Sequence, residues 1–352
     1  MILITGATGF VGSHLVKKLA SSGRAVRALV RDRDKAIKLF TLPSIPSPQG
    51  RGNLNNPPPP RGEGKGRGDL PSFGPYPPGR PHIWTNEEGL ELSGDNIELA
   101  QGDVKDPESL VRAAEGCEAV IHLVGIIQPQ PGQSFRSVHV DGTKNVLEAA
   151  KKAGTVKHFV YQSALGTREN ARSEYHKTKY AAEEMTRSSG LGWTITRPSI
   201  IYGPGDEFTI RMKSLINLPL PFVPLLGSGQ GLFQPVYIDD LTEALARITG
   251  EPKYYGKTAE LCGPRRLTLN EVVHEIAEAI GKKKPIAHIP VPFASPAVFA
   301  MEAILPKPPV TLDQLLMLQE DNVCASNFMD ELGIKPIDFR EGLRRFVFCE
   351  LR

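Results

Sequence analysis

Gly6, Gly9 and Gly12 lie directly behind a short apolar run, Ile2-Leu3-Ile4. They stand directly ahead of a segment whose apolar residues, Val11, Leu15, Val16 and Leu19, recur at helical spacing. Strand, tight turn and helix in that order restrict this chain more than any other stretch of it. An uninterrupted apolar run of that length suits a strand buried on both faces of a parallel sheet. The glycines allow a tight turn, close approach of the backbone to a pyrophosphate, and close packing of helix on strand. The helix start then offers free N–H groups and the positive end of its dipole to phosphate. Thr8, Phe10 and Val11 share this turn and join the three glycines as candidate cofactor contacts.

The same alternation continues. Ala25–Val30 reads as a second strand, Asp34–Thr41 as a short helix, 96–101 as a third strand, and 119–124 as a fourth. Asp106-Pro107 is a helix start, with Asp as cap and Pro in the first turn. Phe135–Ala153 reads as one long helix, His158–Gln162 as the fifth strand, Glu174–Ser188 as a helix and Trp193–Arg197 as the sixth strand. Strand and helix in alternation predict an α/β fold: a doubly wound parallel sheet of the Rossmann type. Beyond Pro198 the prolines break the chain into shorter pieces, with 236–245 and 270–280 largely helical. The expected division is a dinucleotide-binding domain over 1–203 and a smaller C-terminal substrate lobe over 204–352, with the chain crossing back to the first domain near 234–262.

Between Pro43 and Pro81 the composition changes: twelve of the chain's 31 prolines fall there, with many glycines and few large apolar residues. Such a stretch buries too little apolar surface to offset the entropy of ordering, and 43–93 reads as a disordered insertion. Charge is balanced, with 42 basic and 39 acidic residues, which gives no reason to expect a nucleic acid partner. The four cysteines, Cys117, Cys262, Cys324 and Cys349, are far apart; they read as free thiols of a reducing compartment. No metal-ligand spacing occurs, so no metal is expected. No stretch is long and apolar enough to span a bilayer. With the first strand beginning at Met1, no leader precedes it. The expected location is cytoplasmic, at most peripheral to a membrane.

Tyr175 and Lys179 stand at i and i+4 of a helix and therefore share a face. A tyrosine, with an ordinary pKa near 10, serves as an acid/base near neutrality when a cation stabilises its phenolate. Lys179 is placed for that, and for holding a nicotinamide ribose. Ser163, at the end of the fifth strand, is positioned to bind a substrate oxygen. At the end of the second strand an acidic residue accepts from a ribose 2′-hydroxyl, whereas an arginine accommodates a 2′-phosphate. Arg31 favours NADP(H) there, and Asp32 keeps NAD(H) open. Asp103 and Val104, Val124 and Gly125, and Pro198 and Ile201, at or after the ends of later strands, complete the candidate cofactor set by their resemblance to the cofactor-contacting positions of the short-chain dehydrogenase/reductases. His122 reads as a packed histidine. His176 reads as turned away from Tyr175. Phe208, Arg211, Phe233 and Tyr237 are candidate linings of a substrate pocket.

T-G-x-x-G-x-x-G, the Ser163/Tyr175/Lys179 set and Arg197-Pro-Ser-Ile-Ile-Tyr-Gly203 together resemble the extended or atypical short-chain dehydrogenase/reductases. Two further stretches, Gln234-Pro-Val-Tyr-Ile-Asp-Asp240 and Pro309–Val323, resemble the family of the nucleotide-binding accessory subunit of respiratory complex I and its bacterial relatives. The likeness covers the chain except 43–93. It implies bound NADP(H), a substrate lobe and, in the respiratory member, a structural role. The chain departs from the pattern at Val138-His-Val-Asp-Gly-Thr143, where His139 takes the place of an Asn that relays protons in the wider superfamily.

Three expectations follow. The first is an NAD(P)-dependent oxidoreductase or epimerase/dehydratase-like enzyme acting on an unidentified small carbonyl or alcohol, with Tyr175 moving the proton. The second is a non-catalytic nucleotide-binding structural or assembly factor of a respiratory or membrane complex. The third is a sensor of the NADP(H) ratio. The apolar, proline-bounded segment Pro290–Pro309 reads as a packed lobe helix, with a partner or membrane surface as its alternative. Oligomeric state is left open.

Overall fold

The computed structural model describes residues 1–41, 83–84, 96–305 and 308–350. In chain order the strands are β1 Ile2–Thr5, β2 Val26–Val30, β3 Ile83–Trp84, β4 Ile97–Gln101, β5 Ala119–His122, β6 His158–Gln162, β7 Gly192–Pro198, β8 Ile201–Tyr202, β9 Val223–Leu226, β10 Leu232–Phe233, β11 Val236–Tyr237, β12 Lys257–Leu261, β13 Leu267–Thr268 and β14 Ile286–Ile289. The helices are α1 Phe10–Ser21, α2 Arg33–Thr41, α3 Pro107–Ala114, α4 Gly142–Ala153, α5 Glu174–Arg187, α6 Glu207–Ile216, α7 Ile238–Ile248, α8 Leu269–Ala279, α9 Val291–Ile304, α10 Leu312–Met317 and α11 Phe339–Glu350.

The main sheet runs β12-β7-β6-β5-β1-β2-β4-β3. Its first seven members pair in parallel, and β3 closes the edge antiparallel to β4. The stretch read as a disordered insertion lies outside the described residues except for β3. β1 sits at the middle and is buried along its whole length, which is why it is uniformly apolar. Strand order reverses on either side of β1. The crevice between the carboxyl ends of β1 and β5 is therefore the switch point where such sheets bind ligands.

Helices cover both faces. On one face α3 and α4 pack together over Leu3, Val120 and Phe159. On the other, α7 packs on α1 over Ile2, Ile4 and Ala28, and this core runs on without a break to Tyr202, Val223 and Phe339 of the C-terminal region. In this region α7 lies on α1, and β12 joins β7 in the main sheet. Asp106 caps α3 by accepting from the Glu108 and Ser109 amides, with Pro107 in the first turn.

Four sequence expectations are corrected. Phe135–Ala153 is not one regular helix: Arg136–Asp141 is a π-helical turn that leads into α4. Cys262 and Cys324 are not free thiols. The end of β12 and the segment after α10 bring their Cα atoms to 6.2 Å, and the two are disulfide-bonded across 62 positions. Sequence separation hid the pair, because only the fold makes them neighbours. Phe233 and Tyr237 are core residues, 3 % exposed, and not pocket linings. The helix in Pro290–Pro309 is not packed all round: only Ala294 and Val298 of α9 are buried.

Removing the disulfide by Cys262→Ser, whose closed loop spans 62 positions, should cost about 4 kcal/mol through the released chain entropy. Equilibrium urea unfolding of the variant against the oxidised chain measures it. No helix among the described residues is long and apolar enough to cross a membrane.

Candidate active site

The glycine turn is tight because its backbone has no room for side chains. A Cβ on Gly12 would lie 2.1 Å from the Gly6 carbonyl oxygen, and Gly6 itself has φ +74°. The Gly9 amide donates to the Gly6 carbonyl at 3.0 Å. Gly9 caps α1 with no side-chain acceptor, and no acidic residue occupies the first turn of the helix. The first amides of α1 are thus left to whatever occupies the crevice, at the positive end of the dipole. Thr8 and Phe10 flank the turn half-buried, and Val11 is buried beneath it.

Arg31 and Asp103 meet at the ends of β2 and β4, with their charged atoms 3.8 Å apart. Arg31 is 68 % exposed along its side chain, so the pair is weak and the guanidinium remains available. Val104 is buried, and its carbonyl accepts from Asn145 at 2.8 Å. Val124 and Gly125 follow β5. The backbone of Gly6 comes close to Val124, since a Cβ on Gly6 would lie 3.2 Å from its nitrogen. Pro198 ends β7 buried, and Ile201 opens β8 half-buried.

At the other end of the crevice Tyr175 and Lys179 stand one turn apart on α5, whose cap, Ser173, accepts from the His176 amide. Lys179 is 4 % exposed and donates from Nζ to the Gln162 carbonyl at 3.0 Å, tying α5 to the end of β6, where Ser163 is the next residue. Ser163 Oγ donates to Thr167 Oγ1 at 3.2 Å. The three side chains share no hydrogen bond with one another among the described contacts. A Cβ on Gly125 would lie 3.1 Å from Lys179 Nζ and 3.6 Å from His139 Nε2, so these groups converge on one glycine.

Burial pushes the Tyr175 phenol up to about 12 and the Lys179 ammonium down to about 8, where Glu183 partly restores it. Tyr175 is therefore a protonated phenol at neutral pH, and Lys179 is still mainly cationic.

His139 takes a defined place. Its Nε2 accepts the Ile126 amide at 3.1 Å, so the ring proton sits on Nδ1, 2.9 Å from Thr178 Oγ1. The ring stacks on Phe135 and meets Tyr175 edge to face at 5.4 Å. Burial, with Lys179 nearby, pushes its pKa down to about 2, which keeps it neutral. The π-helical turn carries it here, a device common beside functional sites. His176 is not turned away from Tyr175: its ring lies edge-on at 5.2 Å, because the two are neighbours at the start of α5. His122 is fully buried, sharing hydrogen bonds with Thr5 and Thr143.

Residues that local spacing could not single out hold this end together. The Asp313 carboxylate of α10 accepts the amides of Glu174 at 2.6 Å and Tyr175 at 3.1 Å. Asn322 Oδ1 accepts from Ser199 Oγ at 2.6 Å and from the Ile200 amide at 3.1 Å. Both lie in the Pro309–Val323 stretch. Glu183, fully buried on α5, takes Arg197 of β7 at 2.6 Å and Arg187 at 2.8 Å. A cavity of about 530 Å³ lies in the C-terminal region between Leu226, Leu269, Val291 and Leu318. Another, of about 710 Å³, lies beside the amino ends of the strands, near Arg24, Glu118 and Lys157. Among the described residues no group of His, Cys, Asp or Glu side chains is arranged to hold a metal ion.

Residues 2–258 match the model of the NAD dependent epimerase/dehydratase family. The chain belongs to that family. It is 29 % identical over 294 residues to a ceramide reductase of Caulobacter vibrioides, which covers 83 % of this chain and 74 % of the relative. It is 26 % identical to the 40 kDa subunit of mitochondrial NADH-ubiquinone oxidoreductase of Neurospora crassa, over 72 % of this chain and 67 % of that one. Among solved structures, a dTDP-glucose 4,6-dehydratase of Streptomyces venezuelae with NAD bound superposes with a TM-score of 0.64 at 19 % identity, covering 99 % of this chain and 95 % of the other. At that identity the likeness speaks for the fold. The relatives of this chain thus include a protein named as a reductase and others named as respiratory subunits.

Proposed function

We propose that this family member binds NADP(H) and reduces a carbonyl carbon, with Tyr175 as the proton donor. The observation that carries the reading is the convergence of Lys179 and His139 on Gly125, with Tyr175 edge-on to the His139 ring at 5.4 Å, at one end of a crevice whose other end is the uncapped glycine turn. The turn suits a dinucleotide: Gly12 packs α1 so closely on the turn that a Cβ would meet the Gly6 carbonyl, and the first α1 amides have no side-chain acceptor. When bound, the nicotinamide supplies the hydride.

The chain's own groups do the rest. Tyr175, its phenol held protonated by burial, gives its proton to the carbonyl oxygen as charge develops there. Lys179 stabilises the resulting phenolate and holds the ribose. Ser163 orients the oxygen. Arg31, largely exposed, meets the 2′-phosphate, with Asp103 alongside. A phenol that stays protonated at neutral pH favours reduction over oxidation.

Calorimetric titration with NADPH and then NADH tests the cofactor reading. Arg31→Ala should weaken NADPH by about tenfold, the loss of one charge-assisted contact, and leave NADH unchanged. Failure of the chain to bind either nucleotide would remove the reading. Tyr175→Phe should keep nucleotide affinity and lose about 10²–10⁴-fold in NADPH-dependent carbonyl reduction. Unchanged turnover in that variant would reassign the proton donor.

A second reading is favoured by His139 in place of the relay Asn, and by relatives named as subunits of NADH dehydrogenases. In it the nucleotide serves as a structural ligand of a respiratory assembly. Tight NADPH binding that raises the melting temperature, with no turnover across a panel of aldehydes and ketones, would favour it.

A further inference from the structure

The exposed large apolar side chains of the described residues are not scattered. Nine of the ten, Ile127 apart, belong to 210–222 or 289–305. On α9 the outward positions are Pro292, Phe293, Pro296, Ala297, Phe299, Ala300, Ala303 and Ile304, without a charge among them. Phe293 is 79 % exposed and Phe299 64 %. Next to this helix, β14 pairs in parallel with β9, and the run Asn217-Leu-Pro-Leu-Pro-Phe222 ahead of β9 is exposed throughout.

Within 208–222 and 279–305 the basic residues are Arg211, Lys213, Lys282, Lys283 and Lys284, and the one acid is Glu302; Arg211 is paired with Glu207 at 3.1 Å, which leaves the four lysines. Glu302 is occupied, since it accepts the Leu312 amide at 3.1 Å. Lys284 Nζ donates to the Leu218 carbonyl at 2.7 Å, which sets the lysine cluster against the exposed leucines. No carboxylate among the described residues pairs with Lys213, Lys282, Lys283 or Lys284.

We infer that α9 and the 217–222 run form a docking surface for an anionic lipid bilayer. Apolar side chains standing out of a short helix and out of the 217–222 run, with no acid among the outward positions and Lys284 held against that run, suit the boundary between headgroups and acyl chains. The lysines meet the negative headgroups. Among the outward positions of α9 and of 217–222 there is no acid to repel anionic headgroups. The surface is linked to the candidate site: Glu302 of α9 holds the start of α10, and Asp313 of α10 holds the start of α5 at Tyr175. Docking therefore engages the helix that is linked, through α10, to the start of α5.

The test uses the whole chain in flotation assays with phosphatidylcholine vesicles, with and without phosphatidylglycerol. The chain should float with the anionic vesicles and stay behind with the neutral ones, and added salt should weaken it. Phe293→Ser with Phe299→Ser, and separately Lys282→Glu with Lys283→Glu, should each weaken vesicle binding about tenfold or more. Both pairs lie on the surface, so melting curves should match the parent chain. Absence of flotation, or flotation indifferent to both pairs, overturns the inference. So does a dimer in sedimentation that the phenylalanine pair converts to monomer while the parent ignores vesicles, because a second copy would then be the occupant. NADPH titration on the same samples is read separately. Its failure removes the cofactor reading and leaves docking untouched.

Discussion

Taking the chain from about pH 8 to about pH 5 should remove several kcal/mol of stability, with buried histidines as the cause. Four of the eight histidines, His122, His139, His158 and His176, are at most 4 % exposed. Burial pushes their pKa values down to about 3, 2, 4 and 4 respectively. Several act as acceptors in ways that a second ring proton would break: His139 takes the Ile126 amide, and His158 takes the Gly250 amide at 2.9 Å.

An unfolded histidine titrates near 6.5, so below that pH the unfolded chain binds protons that the folded chain refuses. The stability these rings contribute is fully present above about 6.5 and drains as pH falls toward their folded values. At about pH 5 each costs about 2 kcal/mol, and the four together about 8, comparable with the stability of a whole domain. Asp240, pushed up to about 6 by burial, works in the opposite sense and offsets less than one histidine; Asp206 and Asp313 shift in the same direction as Asp240. Urea midpoints across that range measure the slope. A flat profile between about pH 7 and about pH 5 would show that the rings protonate without unfolding the chain.

Gly12→Val should abolish nucleotide binding and cost about 3 kcal/mol or more of stability. The added Cβ would lie 2.1 Å from the Gly6 carbonyl oxygen and 2.8 Å from Ala7 Cα, and both are backbone atoms with no rotamer to yield. Either the turn opens or α1 lifts away from β1, and both move the α1 amides that are to face the phosphates. Gly23→Ala is the control. That glycine has φ +79° and nothing within 4 Å, so its cost is backbone strain alone, about 1–2 kcal/mol, with binding kept. Calorimetry for nucleotide and urea unfolding for stability separate the two. A Gly12→Val chain that behaves like the control would mean that the turn is not the cofactor cradle.

The glycine turn, the alternation of strand and helix, and the Tyr175–Lys179 pair were legible because each depends on neighbours within a few positions. Gly6 to Gly12 covers one turn and the start of α1, and i,i+4 places two side chains on one face whatever the rest of the chain does. His139 was visible as a departure, but not its neutral state or its contact with Tyr175, which follow from burial and the π-helical turn. Asp313 and Asn322 were hidden because they reach the site from positions more than a hundred residues away. Cys262 and Cys324 became partners only where β12 ends beside the segment that follows α10.

Phe233 and Tyr237 show the same limit from the other side. An aromatic reads alike whether it fills a core or faces a pocket, and packing alone made these two core. In α9 the apolar composition was plain in the sequence, while its exposure was not, since any apolar helix is expected to be covered. Local sequence thus determined the sheet, its crevice and the residues at either end of it. Tertiary structure decided which charges stay neutral, which distant groups brace α5, and which apolar face is left toward solvent, because each depends on the desolvation and contacts that only the folded chain imposes.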